Sequence, residues 1–293
     1  VRSVSTLIRT RRTNLVDILI ILFIIAASIT CVVPFLYMIS LSLSSNNAII
    51  SQKVTLWPVD FTIETYKAIL SDNDMIYSLG YSVVLTILYT IICMLLTICA
   101  AYPLTKKKLS GRNFILTVMI ITMYFSGGLI PDYILVKDLQ LINTMWSLIL
   151  PGALSVFNLI ILKTFFESLP ESLEESAAID GCNDLGTLVR IVLPLSLPSI
   201  ATLSLFYAVG RWNGFQDALF YVTEENLYPI QLKLYQIITA NQQIEGEGSI
   251  GAYIVPESLK AASVMFATVP ILLIYPKLQK YFVEGVMLGA IKG

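Results

Sequence analysis

Six apolar runs, each about as long as a helix needs to cross the hydrocarbon core of a bilayer, leave this 293-residue chain few ways to fold. They are Leu15–Leu43, Tyr77–Leu104, Phe114–Val136, Met145–Phe166, Ser199–Val222 and Leu259–Val283. The reading is an all-α integral membrane protein with six transmembrane helices, a single domain over residues 1–293. Charge supports it. Only 13% of the residues are charged and 56% are apolar, against about 25% charged in soluble domains, so most of the surface faces something other than water. Mean hydropathy is +0.77.

The same composition narrows the chemistry. A net charge of -1 argues against a nucleic-acid partner, and histidine, the commonest general base and metal ligand, is absent. Cys31, Cys93, Cys99 and Cys182 follow no metal or redox spacing, and three lie inside apolar runs. No catalytic residue, bound metal or disulfide is expected.

The first run is too long for a signal peptide and lacks a small-residue cleavage site. Pro34 is expected to kink it without ending it, because neighbouring helices can satisfy the freed carbonyl. Gly127-Gly128 and Pro131 predict a bend late in the third run. Orientation follows from lysine and arginine placement. With the N-terminus inside, twelve of these residues fall on the inner side and five on the outer side, leaving aside Lys163 and Arg211 at or within runs. The bias is sharpest in the short loop KKKLSGR. Both ends are therefore placed inside.

Two outer segments are long enough to carry structure. Ser44–Ile76 holds Trp57-Pro58, Phe61, Thr62 and Tyr66, aromatic side chains suited to a membrane interface. The loop 223–258 holds an apolar-polar strip over Tyr228–Ile238 and then three glycines, Gly246, Gly248 and Gly251, which permit sharp turns. It reads either as a flexible loop or as a contact for an external partner.

The polar loop 167–198 is the most informative. Ser168-Leu169-Pro170-Glu171 reads as a helix start, although Ser172 with Glu175 also fits a capping box. Glu171, Glu174 and Glu175 suit the positive end of that helix, and Ala177 and Ala178 continue it. Gly181, after Asp180, suits a left-handed terminal cap. Asn183 or Asp184 can cap a second helix, Leu185–Leu193, which is expected to stop at Pro194. Two short helices meeting at Gly181 suit a mechanical contact: small alanines permit close approach and Glu175 offers a charge. An amphipathic hairpin lying on the membrane is the alternative.

Glu175 to Pro194 reads E-S-A-x3-G-x9-I-x-L-P, with Ile191, Leu193 and Pro194 closing it. This resembles the E-A-A-x3-G-x9-I-x-L-P signature of bacterial ABC-importer permeases, with Ser176 the one departure. Trp57-Pro58 with Phe61, Thr62 and Tyr66, and the ending VEGVMLGAIKG, are also similar to the MalG-type permeases of carbohydrate ABC importers. The run Tyr124–Phe166 is similar to a branch serving complex oligosaccharides, including alginate. The resemblance implies the type I ABC-importer permease fold in a bacterial cytoplasmic membrane. It implies a second homologous permease, two ATPase subunits that bind ATP and Mg, and an extracytoplasmic solute-binding protein delivering an oligosaccharide. The loop 167–198 would be the cytoplasmic coupling loop, the 223–258 loop would probe the binding protein, and the tail Gly289–Gly293 would reach the ATPase interface.

No G-x-x-x-x-G-K-[ST] phosphate loop occurs, so the chain has no nucleotide cradle of its own. An ion-coupled secondary transporter is the competing class, but such proteins carry acids or histidines facing a path near mid-membrane. Apart from Asp132, near the end of the third, the second, third and fourth runs hold none. The fifth contains Arg211, a charge costly to bury in lipid. It reads as a structural pair with Asp217 or a carbonyl, or as the wall of a solute path in which Trp212 stacks on sugar rings and Asn213 bonds hydroxyls. Arg211 would then guide acidic sugars. Asn158 is a further path candidate, though a lone asparagine also serves to bond helices together.

Overall fold

The computed structural model describes residues 15–244 and 256–290, with side chains for 15–239 and 256–273. Every regular element among them is helical. The chain divides into two compact units, one built from Val1–Lys67 with Ser249–Met265 and the other from Ala68–Gly248 with Phe266–Gly293.

In the first unit, α1 (Leu15–Ser42) runs unbroken through Pro34. Its apolar side chains are exposed nearly all round from Leu15 to Tyr37, which in a stable protein requires lipid or a partner to cover them. At its C-terminal end the chain folds back on itself. Ser45 caps the short α2 (Asn46–Ile50), the Val59 N–H donates to Ser44 Oγ at 3.0 Å, and the Tyr66 hydroxyl donates to Ser42 Oγ at 2.8 Å. Leu41, Ala48, Ile49, Val54 and Ala261 form the core of this unit. Trp57 and Phe61 stay exposed, as an interfacial role requires, whereas Tyr66 turns inward. The helix α3 (Glu64–Ser71) follows.

The second unit is organised around α4 (Asn73–Ala101), capped by Asp72 and prolonged by a 3-10 turn, Pro103–Thr105. The third apolar run is two helices, α5 (Arg112–Tyr124) and α6 (Leu129–Asp138), bent by 114°. Gly128, at φ +91°, makes the corner, and Pro131 falls in the first turn of α6, where no N–H bond is lost. The expected bend is present and sharper than a kink.

The fourth run corrects the sequence reading. Met145–Phe166 is not one helix: a 3-10 turn, Met145–Leu148, is followed by irregular chain through Pro151-Gly152, and α7 covers only Val156–Glu167. Pro151 donates no N–H, and the Gly152 carbonyl instead accepts the Tyr89 hydroxyl at 2.9 Å. A Cβ on Gly152 would lie 2.8 Å from that hydroxyl. Twelve residues of helix reach about 18 Å, short of a bilayer crossing.

The loop helices are α8 (Glu171–Ile179) and α9 (Asp184–Thr187). The latter continues through a π segment, Leu188–Val192, into α10 (Leu193–Leu195). After an 81° bend comes α11 (Leu197–Asn213). Gly214-Phe215 breaks the fifth run, and α12 (Gln216–Tyr221) follows. The strip in the 223–258 loop is helical, α13 (Ile230–Ile244), and α14 runs from Pro256 to Ala290. Gly289-Ala290, the start of the tail expected at the ATPase interface, thus belongs to α14.

Leu159, Leu162, Leu188, Val192, Leu203 and Tyr207 pack with Cys93 and Met94 of α4. A second cluster joins Tyr81 and Leu85 to Val136, Leu148, Ile149, Tyr221 and Leu232. Among the described residues, two helices are long and apolar enough to cross a membrane, or four if each bent pair is one span.

Candidate coupling loop and solute cleft

The first helix of the 167–198 loop, α8, begins immediately after Pro170, so the Ser172 alternative is not used. It ends in a Schellman arrangement: Gly181 N–H donates to Ala178 O at 3.1 Å and Cys182 N–H to Ala177 O at 2.9 Å, with Gly181 at φ +81°. Asn183, rather than Asp184, caps the second helix, its Oδ1 accepting from Gly186 N at 2.8 Å. That helix does not stop at Pro194. It continues to Leu195, with the ladder widened from i→i+4 to i→i+5 just before the proline, which has no N–H to give.

Burial divides the signature residues. Ala177 is 4% exposed and faces the chain's own core, so its small size serves internal packing and not an approaching partner. Glu175, Ala178, Asp180 and Gly181 are exposed, as is Pro194, while Ile191 and Leu193 are half-buried. Beside them Ile179, at 86%, Leu185 and Val189 present apolar surface to the outside. The elbow thus offers a small apolar face with exposed acids, Glu175 and Asp180, at its rim.

Glu167, Glu171 and Glu174 are engaged within the chain. Lys106 Nζ donates to Glu174 Oε2 at 2.6 Å and sits 4.2 Å from the Tyr102 ring centroid. Lys107 Nζ donates to Glu171 Oε1 at 2.5 Å. Arg112 donates to Thr105 O at 3.1 Å and lies 3.6 Å from Glu167, which also takes Lys163 at 2.7 Å. Burial draws the Lys106 ammonium down, but its bonds to Glu174 and Tyr102 outweigh this and hold it above the ordinary lysine value. The Lys107–Glu171 hydrogen bond raises the lysine and lowers the carboxyl. Each charge also stands at the helix end that favours it, lysines after α4 and acids in the first turn of α8.

The broken fifth run forms a cleft of about 380 Å³ lined by Tyr89, Arg211, Asn213, Phe215, Gln216 and Asp217. Arg211, 8% exposed, spends its guanidinium on fixed partners. Nη1 donates to Leu148 O at 2.9 Å and to Asp217 Oδ2, and Nη2 donates to Asp217 Oδ1 at 2.9 Å and Gly214 O at 3.1 Å. Its charge is neutralised by a fork-to-fork carboxylate, so it stitches α11, α12 and the 145–148 turn together. Trp212 is 7% exposed and its indole N–H donates to Ala267 O at 3.3 Å, which removes it from any solute surface. Asn213 does reach the cleft, whereas Asn158 is buried in the first turn of α7. Gly246, Gly248 and Gly251 lie outside the described residues. Phe215, stacked on Tyr235 with centroids 5.0 Å apart, lines the cleft that Trp212 does not reach. Phe215, Gln216, Tyr89 and the pairing of Lys106 and Lys107 with α8 were not among the sequence candidates. The lysine run and the acidic helix start were both visible, but nothing in one sequence joins residues more than sixty positions apart.

Residues 106–287 match the family of the binding-protein-dependent transport system inner membrane component. The chain belongs to this family. Its relatives include the polygalacturonan/rhamnogalacturonan transport system permease protein YtcP of Bacillus subtilis strain 168, 43% identical over 96% of this chain and 100% of its own. The trehalose/maltose transport system permease protein MalG of Thermococcus litoralis is 30% identical over 94% and 97%. A bacterial ABC transporter involved in the import of the acidic polysaccharide alginate superposes with a TM-score of 0.86. It is 29% identical, covering 93% of this chain and 98% of the solved one. The resemblance to sugar ABC permeases rests on whole-length similarity as well as on the motif. Permeases of this family are inner-membrane subunits, and the hydrolysis of ATP belongs to separate subunits.

Proposed function

We propose that this permease is the membrane-spanning subunit of an ATP-driven importer of oligosaccharides, acidic ones among them. It would form half of the translocation path with a second, homologous permease. Six spans would leave both ends in the cytoplasm of a bacterium, the bent and broken runs counting as one span each. Two ATPase subunits carrying ATP and Mg would dock on the 167–198 loop. An extracytoplasmic binding protein would deliver the sugar, with the segment 244–251 as a contact for it.

The observation that carries the reading is the elbow at Gly181, with Ile179, Leu185, Val189 and Glu175 turned outward from a helix pair fixed at its base. Exposed apolar side chains on a polar loop call for a protein partner, and the E-S-A-x3-G spacing supports reading them as the face that couples to an ATPase. The acidic cargo is supported by relatives whose names specify galacturonan and alginate. The cleft would serve sugar through amides and aromatic faces, Asn213, Gln216, Tyr89 and Phe215, rather than through Arg211.

The test is uptake of an oligogalacturonide into proteoliposomes holding the full complex. Uptake is expected to require ATP and the binding protein and to survive a protonophore. Uptake by this chain alone, collapsed by the protonophore, would overturn the proposal in favour of an ion-coupled carrier.

A further inference from the structure

We infer that Lys106 and Lys107 are positioning residues of the coupling step: their two ion pairs clamp the first turn of α8 to the end of α4, so that movement of the coupling loop is delivered to α4. The inference rests on the proposed docking of ATPase subunits on that loop.

Three features of the geometry carry it. Glu171 and Glu174 are three residues apart and share one helix face. Pairs at 2.5 Å and 2.6 Å therefore fix the rotation of α8 about its own axis as well as its distance from α4. Lys106 is held from its other side by the Tyr102 ring, which itself packs edge-on against Phe166 at 6.3 Å. Arg112 then closes the short 105–112 loop through Thr105 O and Glu167, so the lysines do not swing on a slack tether.

The second link runs along α4. Tyr89 stands seventeen residues before Lys106 in the sequence, about 25 Å away along a helix. There it lines the cleft, holds Gly152 O and lies 5.7 Å from the Arg211 guanidinium. Between the two, Thr97 Oγ1 and the Tyr207 hydroxyl are 2.7 Å apart and tie α4 to α11. The clamp thus follows directly on the 3-10 end of the helix that carries the cleft's Tyr89 and is tied to α11 through Thr97. Exposed ion pairs add little to stability, and the Lys107–Glu171 pair is well exposed. What such a pair can still do is fix orientation.

The experiment uses the assembled complex in proteoliposomes, with Gln216→Cys as a reporter in the cleft. Its labelling by a water-soluble maleimide is measured against the parent chain, with and without ATP plus vanadate. In Lys106→Gln/Lys107→Gln, ATPase subunits should stay bound while the nucleotide-dependent change in labelling falls roughly fivefold, within the range of ordinary coupling energies. Lys106→Arg/Lys107→Arg should keep the change. The swapped pair, Lys106→Glu with Glu174→Lys, should restore it relative to Lys106→Glu alone. A response unchanged in the double glutamine variant, or a swap that fails to restore it, overturns the clamp. Leu185→Asp separates the underlying reading, since it touches the exposed docking face and neither pair. If that variant keeps its ATPase subunits, docking on the loop is wrong. If it releases them, docking stands and the clamp is judged on the lysine variants alone.

Discussion

Arg211 shows how a costly residue is made tolerable. Two of its nitrogens make four hydrogen bonds, two of them to one carboxylate, and the side chain is 5% exposed against 30% for Asp217. Removing one member leaves the other charge without its partner in a poorly solvated place, a loss of about 3–5 kcal/mol. Arg211→Gln and Asp217→Asn should each lower the yield of detergent-extracted complex sharply, and the double substitution should lose less than the two singles added together. Double-mutant yields and thermal inactivation midpoints measure this. Yields that stay normal in both singles would rule out a structural role. The pair was legible in the sequence because an intramembrane arginine has few alternatives and Asp217 lies six residues on. The carbonyls of Leu148 and Gly214 were not, since a backbone acceptor carries no signature. Trp212 was misjudged for a related reason: an aromatic ring beside a charge fits a sugar platform and a packed core equally, and only burial distinguishes them.

At the level of elements, the elbow was legible because its residues are punctuation. Pro170, Gly181 and Asn183 each perform a backbone task that few other residues can. The sharp corner of the third run announced itself in the same way through Gly127-Gly128 and Pro131. The break in the fourth run did not, although Pro151-Gly152 marks it, because apolar content alone cannot tell a membrane-long helix from packed irregular chain. The elbow makes a direct prediction. Proline cannot adopt φ +81° and has no N–H for Ala178 O, so Gly181→Pro should abolish solute-stimulated ATP hydrolysis while the permease still inserts. Stimulation at the parent level would show that the joint is dispensable. The pairs at the base of α8 make a second prediction, on pH. The Glu171 carboxyl is lowered by its bond to Lys107, so its contribution is present above the ordinary carboxylate value of 4.5 and fades as pH falls through the depressed value. Lys106 and Lys107 are raised, so theirs is present below 10.5 and fades only as pH climbs through the higher values. ATP hydrolysed per sugar imported should therefore hold constant from about pH 6 to pH 9, and a steep change inside that window would count against the clamp.

For the whole molecule, the sequence announced a membrane protein plainly and the count of crossings less so. Hydropathy registers how much apolar chain there is, while bends of 114° and 81° decide how many crossings it makes. Orientation is the question on which charge has most to say. If the inner side is the one that holds KKKLSGR, then the clamp, the elbow and the exposed Ile179 all face the compartment that contains ATP, and the coupling loop can meet an ATPase. If the chain were inverted, the same loop would face outward with nothing to drive it, and the functional proposal would fail with it. Cysteine scanning decides between the two. In a chain lacking its four native cysteines, Ser172→Cys, on the exposed face of α8, should react with a membrane-impermeant maleimide only after the cells are opened. Lys53→Cys, exposed in the segment that follows α1, should react in intact cells. The opposite pattern would place the elbow outside. Equal reaction at both sites in intact cells would mean that residues 53 and 172 share a side, and then the span count between them is not the odd number that three crossings require.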